Sequence, residues 1–265
     1  MKKNLKFHNH PFHMVTLSPW PLITSFNLMI FLMGMIKWFH EFNYNLLIWS
    51  KFFLILSIFQ WWRDITREST FQGVHTINVM KLLRLGMILF IISEIFFFFS
   101  FFWTFFHMSL SPSIEIGSMW PPKMILPFNP FNIPLLNTII LLSSGMSITW
   151  SHYMILSNNY KESLKSLIIT INLGLYFTIL QYMEYHESNF SISDSIFGSI
   201  FFMMTGFHGL HVIIGTLFIM VTFLRLNNMQ LSKYHHFGFE ASSWYWHFVD
   251  VVWLFLYIFI YWWSY

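Results

Sequence analysis

Cysteine is absent from the 265 residues, and charged side chains make up only 9% of them. Without Cys there is no disulfide, no Cys-ligated zinc, no iron–sulfur cluster and no thiolate copper site. Redox compartment is left open, because a Cys-free chain suits any. The scarcity of charge excludes more. Soluble domains carry about 25% charged residues, and this chain is 56% hydrophobic, with 34 Phe, 17 Met and 13 Trp. A soluble core of this size could not hide so much apolar surface behind so few charges. A bilayer can, because it is itself the solvent for apolar faces, and the mean hydropathy of +0.56 agrees. The net charge of +3 is not gathered in a stripe, so nucleic-acid binding has no support. No internal repeat marks an inverted-repeat transporter. The segment Met1–Pro11 holds Lys2, Lys3 and Lys6 but no apolar core, so neither a signal peptide nor a transit peptide is expected.

What is present is a series of apolar runs. A helix needs about 20 largely apolar residues to cross the hydrocarbon. Seven runs qualify: Met14–Met35, Tyr44–Trp62, Leu82–His107, Ile133–Leu156, Leu164–Tyr185, Ile196–Leu226 and Phe237–Trp263. The expected fold is an all-α polytopic membrane protein. An odd number of spans puts the termini on opposite sides and sorts the 14 basic residues into 11 and 3. Lys2, Lys3, Lys6, Arg63, Arg67, Lys81, Arg84, Lys161, Lys165, Arg225 and Lys233 lie on the N-terminal side, and Lys37, Lys51 and Lys123 on the other. The positive-inside rule then places the N-terminus in the cytoplasm or mitochondrial matrix. The opposite side carries Glu41, Glu115, Glu184, Glu187 and Asp194.

Two connections stand out. Ser111–Pro134 contains six of the nine prolines and is expected to form a non-helical, stiff cap. Arg63–Lys81, with Arg63/Asp64 and Arg67/Glu68, reads as a structured loop. It is a candidate boundary between two helix groups, residues 1–70 and 71–265.

The polar residues within the spans are the candidate functional ones. Glu94 lies mid-span in Ile-Ile-Ser-Glu-Ile-Phe-Phe, where a charged carboxylate is costly and the neutral form is expected. It reads as a proton-linked or gating group, or as a neutral acid bonded to a neighbouring helix. His208 and His211 in Thr205-Gly-Phe-His-Gly-Leu-His211 share a helix face. Two His alone do not complete a metal site, and with Gly206, Gly209 and Gly215 alongside they read as close helix contacts with hydrogen bonds across them. Glu240, Trp244, His247 and Asp250 are spaced by four, three and three and line one face of the last span. His247 and Asp250 are expected to form a structural pair that spares each an unpaired burial. No haem, copper or zinc is expected in this chain, with His235 and His236 read as structural too.

Several stretches resemble the cytochrome c oxidase subunit III family. They begin with His13-Met-Val-Thr-Leu-Ser-Pro-Trp-Pro21, QWWRDITREST at 60–70, FQG at 71–73, GMILFIISE at 86–94 and MWPP at 119–122. PLLNT at 134–138, SITW at 147–150, TGFHGLHVIIGT at 205–216, HHFGFE at 235–240, WYWHFVDVVWLFLY at 244–257 and IYWW at 260–263 continue the match. The matches run collinearly over nearly the whole chain. The resemblance implies a non-redox core subunit of the respiratory terminal oxidase, in the mitochondrial inner membrane with the C-terminus in the intermembrane space. Haem and copper would lie in partner subunits, with subunits I and II and accessory subunits as neighbours. It also implies two N-terminal helices splayed from a five-helix bundle, phospholipid in the cleft and support for proton uptake. The expected lipid-binding residues are Trp62, Arg67, Glu68, Ser69, His75, His211, Arg225 and His235, because Arg, Trp, His and Ser suit phosphate and glycerol oxygens at an interface. A transporter or channel would instead need discontinuous spans or a polar pathway, and an autonomous redox enzyme would need ligands.

Overall fold

A computed structural model describes residues 10–265; Lys2, Lys3 and Lys6 of the basic set lie outside them. Seven helices account for the described secondary structure apart from one short 3-10 turn, Ile114–Ile116, and a π-helical turn, Tyr257–Trp262. They are α1 (Trp20–Glu41), α2 (Asn45–Thr70), α3 (Ile77–Leu110), α4 (Ile133–Leu156), α5 (Tyr160–His186), α6 (Ser195–Asn227) and α7 (Phe237–Leu256, continued by the π turn). All seven are long and apolar enough to cross a membrane.

Local chemistry sets the ends. α1 starts at Trp20, six residues later than the apolar run, because Pro19 holds Ser18 out of the α region while Pro21 suits a first helical turn. α2 overruns its apolar stretch to Thr70. The segment expected as a loop from Arg63 to Lys81 is therefore mostly helix, and only residues 71–76 connect α2 to α3. The reason is visible in the charges. Arg67 reaches back to Asp64 at 3.6 Å, an i,i+3 pair that supports a helix emerging into water. Between α3 and α4 the Pro-rich segment has no α-helix, as its composition predicts.

The described chain divides into two compact units, residues 10–83 and 84–265, with the division inside α3. In the first unit the usual burial pattern is inverted. The buried residues of α1 and α2 are Thr24, Gly34, Ser50 and Ser57, while Leu32, Ile36, Phe52, Phe53 and Phe59 are exposed. A soluble protein would collapse such a surface; a lipid-facing helix pair puts small and polar residues at its contact instead. A Cβ on Gly34 would stand 2.9 Å from the Leu47 backbone, so only glycine allows this approach. Trp20 closes the other end by donating its indole N–H to Asp64 Oδ2 at 2.7 Å.

The second unit has a true core. Trp246 of α7 is fully buried and donates to Ser144 Oγ of α4 at 2.8 Å. Its ring lies where Cβ atoms on Gly174 of α5 and Gly215 of α6 would be, 2.8 Å away in each case. One tryptophan thus locks four helices, and the two glycines make room for it. The buried positions of α6, among them Phe197, Phe201, Met204, His208, Val212, Ile219 and Leu226, recur mostly at helical spacings of three and four.

Candidate functional site

In the second unit, Glu94 of α3 meets His211 of α6. Glu94 Oε2 lies 3.0 Å from His211 Nε2, and His211 Nδ1 lies 2.7 Å from the Phe207 carbonyl one turn earlier. A carbonyl oxygen only accepts, so Nδ1 carries a proton. Nε2 and the carboxyl oxygen can then approach to 3.0 Å only with a proton between them. Glu94 either donates to a neutral imidazole or accepts from an imidazolium, and the pair is neutral as a whole in both cases. The site is walled by aromatic rings. Phe98 lies edge-on to the imidazole at 5.1 Å, and Phe97, Tyr245 and Phe248 stand 6.2–6.4 Å away. Both side chains keep partial exposure, 22% for Glu94 and 11% for His211.

His208, one turn below, is fully buried and reaches the Val249 carbonyl of α7 through Nε2 at 3.2 Å, a bond across a helix contact. His247 and Asp250 stand 3.8 Å apart, Nδ1 to Oδ2, with His247 42% and Asp250 8% exposed. That distance is looser than the charge-assisted hydrogen bond the spacing predicts. Asp250 is the buried partner, and its Oδ2 lies 2.9 Å from where a Cβ on Gly145 of α4 would stand. Its seat is a helix contact shaped by a glycine.

The remaining expected residues fall at helix ends. In the first unit Trp62 and Arg67 are exposed. Glu68 lies 3.6 Å from His13 Nε2, His13 packs edge-on against His75 at 6.2 Å, and Ser69 donates to the Thr66 carbonyl. In the second unit Arg225 ends α6 with its guanidinium against Gly238, where a Cβ would lie 2.7 Å from Nη1. Burial, with the charges of Arg225 and His236, pushes the His235 imidazole below its ordinary pKa. His211 is the exception, because its two ring nitrogens are both engaged within the bundle.

The sequence reading missed three features. Arg84 grips Glu240 in a two-pronged ion pair, Nε to Oε2 at 2.9 Å and Nη2 to Oε1 at 3.0 Å; residues 156 positions apart give no local signal. Gln181, Tyr185 and Thr205 form a polar link between α5 and α6, with Tyr185 and Thr205 hydroxyls 2.7 Å apart and Gln181 donating to the Thr205 carbonyl at 2.8 Å. Glu184, expected among the outer-side acids, is 1% exposed.

The model of the cytochrome c oxidase subunit III family matches residues 10–265. The chain belongs to that family. It is 59% identical to cytochrome c oxidase subunit 3 of Drosophila melanogaster over 256 residues, 97% of this chain and 98% of the relative. It is 59% identical to that of Anopheles quadrimaculatus with the same coverage. The match to the Pisaster ochraceus protein is also 59%, over 257 residues, 97% of this chain and 99% of the relative. As a subunit III, this chain is a membrane-spanning subunit of the terminal oxidase, and Glu94 and His211 are features of that subunit.

Proposed function

We propose that this subunit III holds no redox centre and sustains proton uptake by the oxidase through the Glu94–His211 pair. Haem and copper sit in partner subunits, with subunits I and II as its neighbours in the mitochondrial inner membrane. The observation that carries this reading is the 3.0 Å contact between Glu94 and His211. The pair must hold one proton, lies in an aromatic wall, and reaches the surface at Glu94. A carboxyl that shares its proton with a histidine inside a membrane span, and is open at one edge, is suited to exchanging that proton with a nearby uptake path.

A hydrophobic carbodiimide reacts with protonated carboxyls in apolar surroundings and tests this directly. It should label Glu94 in preference to the other acids and slow proton uptake during turnover. Glu94→Gln should abolish the labelling and shorten the oxidase's working lifetime. If Glu94→Gln pumps and survives turnover like the parent, the pair is structural only.

Phospholipid headgroups are the second part of the proposal. Trp62, Arg67, Glu68, Ser69 and His75 in the first unit, and Arg225 and His235 in the second, supply interfacial aromatic and donor groups suited to phosphate and glycerol oxygens. His211 contributes less than expected because Glu94 and Phe207 take its nitrogens. Replacing Trp62 and Arg225 together should lower the phospholipid retained on purification; full lipid content with unchanged inactivation would reject the assignment.

A further inference from the structure

His152 near the end of α4, His236 at the N-cap of α7 and Glu240 in the first turn of α7 converge on one point. One ligand-capable atom from each lies within 4.8 Å of the others. None of the three has a part in the Glu94–His211 pair or in the headgroup proposal. We infer that these three side chains form an exchangeable site for a zinc-type divalent cation.

His236 carries the argument. It is only 6% exposed, and its Nδ1 lies 3.0 Å from the Ser232 carbonyl. A carbonyl accepts, so Nδ1 bears the hydrogen, and a lone pair at Nε2 is left for a metal ion. That buried Nε2 has no hydrogen-bond partner and points at Glu240 Oε1, 3.4 Å away. With the ring neutral, two acceptors face each other across this gap, an arrangement that a cation between them relieves. The hydrogen bond from one imidazole nitrogen to a backbone carbonyl, leaving the other nitrogen free, is the outer-shell pattern that orients histidine ligands of metals.

The spacing fits the same occupant. Zinc bonds to His nitrogen and carboxylate oxygen run about 2.0–2.2 Å, so the edge of the coordination tetrahedron is roughly 3.3–3.6 Å. The 3.4 Å separation of His236 Nε2 and Glu240 Oε1 is one such edge already formed. His152 faces His236 with ring centroids 5.5 Å apart, and an inward movement of roughly 1 Å would complete a three-ligand set with an open fourth position.

Charge sets the strength and selectivity. Arg84 already neutralises Glu240, and the positive end of the α7 dipole lies at the same place. The attraction therefore comes mainly from two imidazole lone pairs. Such a site favours a borderline-soft ion over calcium or magnesium, which require several oxygen ligands, and it exchanges rather than retains its ion. The sequence expectation that His236 is purely structural changes accordingly. His152, the missing third ligand, is 84 positions away in the chain and carried no motif.

The test uses the assembled oxidase, stripped with a chelator and titrated with zinc chloride alone. Diffraction at the zinc edge should show an anomalous peak among His152, His236 and Glu240. Equilibrium dialysis should find one fewer exchangeable zinc in His152→Ala, or binding at that site weakened at least about tenfold. Calcium and magnesium should not compete, and Arg84→Gln should tighten zinc binding by freeing the carboxylate. An anomalous map with no peak at the three residues, together with equal stoichiometry and affinity in the parent and His152→Ala, would overturn the inference and leave an imidazolium–carboxylate pair.

Discussion

Single residues in this chain act mainly through fit. Gly174 shows how strictly. A Cβ there would run into Thr216 Cγ2 and stand 2.8 Å from the Trp246 ring. Trp246 cannot retreat, because its indole N–H is bonded to Ser144 and its other sides are filled. Gly174→Ala should therefore destabilise the second unit by about 1–3 kcal/mol, the usual cost of overpacking a filled core. A lowered midpoint of heat-induced subunit loss would report it. Gly86→Ala is the control, since nothing lies within 4 Å of the Cβ it would gain, and its midpoint should match the parent's. Equal midpoints for both variants would mean that the Trp246 contact is looser than its geometry indicates. Of the glycines expected as close-contact positions around the paired histidines, Gly209 and Gly215 are such positions, with Gln181 and Trp246 2.7 Å and 2.8 Å from the Cβ each would gain, whereas Gly206 meets only the Tyr185 hydroxyl at an ordinary 3.7 Å. Gly145 and Gly174 were not legible as such, because each serves a side chain from a distant helix, Asp250 and Trp246. The same holds for the candidate sites. Glu94 stood out as an acid in an apolar run, but its partner was legible only as one of several histidines.

At the scale of helices, the number and order of elements follow from composition, and the ends follow from local exceptions to it. Ile133–Leu156 was placed residue for residue because Pro134 fits a helix's first turn and the turn at residues 157–159 breaks the run. α2 was placed eight residues short because the apolar signal stops at Trp62 while the helix continues on Asp64–Arg67 pairing to Thr70. Hydropathy locates the part of a helix within lipid; it carries no information about how far the helix projects into water. α3 makes the same point at its start, five residues before the expected Leu82. The last span kept its extent but not its form, since its final turn, Tyr257–Trp262, is π-helical; apolar periodicity does not distinguish a π turn from an α turn.

For the molecule as a whole, orientation is the property most directly written in the sequence and least dependent on any single contact. If each of the seven helices crosses the membrane once, the connections 71–76, 157–159 and 228–236 fall on one side of it, and 42–44, 111–132 and 187–194 on the other. The connections of the first set, with the helix ends flanking them, carry Arg67, Lys81, Arg84, Lys161, Lys165, Arg225 and Lys233. Translocating that much positive charge against a membrane potential that is negative inside is disfavoured, so we propose that these loops lie on the matrix side. The absence of cysteine makes the test clean, because an introduced thiol in this subunit has no native neighbour to confuse it. Ser232→Cys lies in an exposed stretch of the connection before α7, and Ser113→Cys in an exposed stretch of the Pro-rich segment. In intact mitoplasts, whose outer membrane has been removed, a membrane-impermeant maleimide should label Ser113→Cys and spare Ser232→Cys. In inside-out inner-membrane vesicles the two should exchange. Labelling of Ser232→Cys in intact mitoplasts would reverse the topology and move the His152–His236–Glu240 cluster to the intermembrane space. If Ser113→Cys and Ser232→Cys were both labelled from one side, the chain would cross the membrane an even number of times between them and the assignment of α4 to α6 as three successive spans would fail.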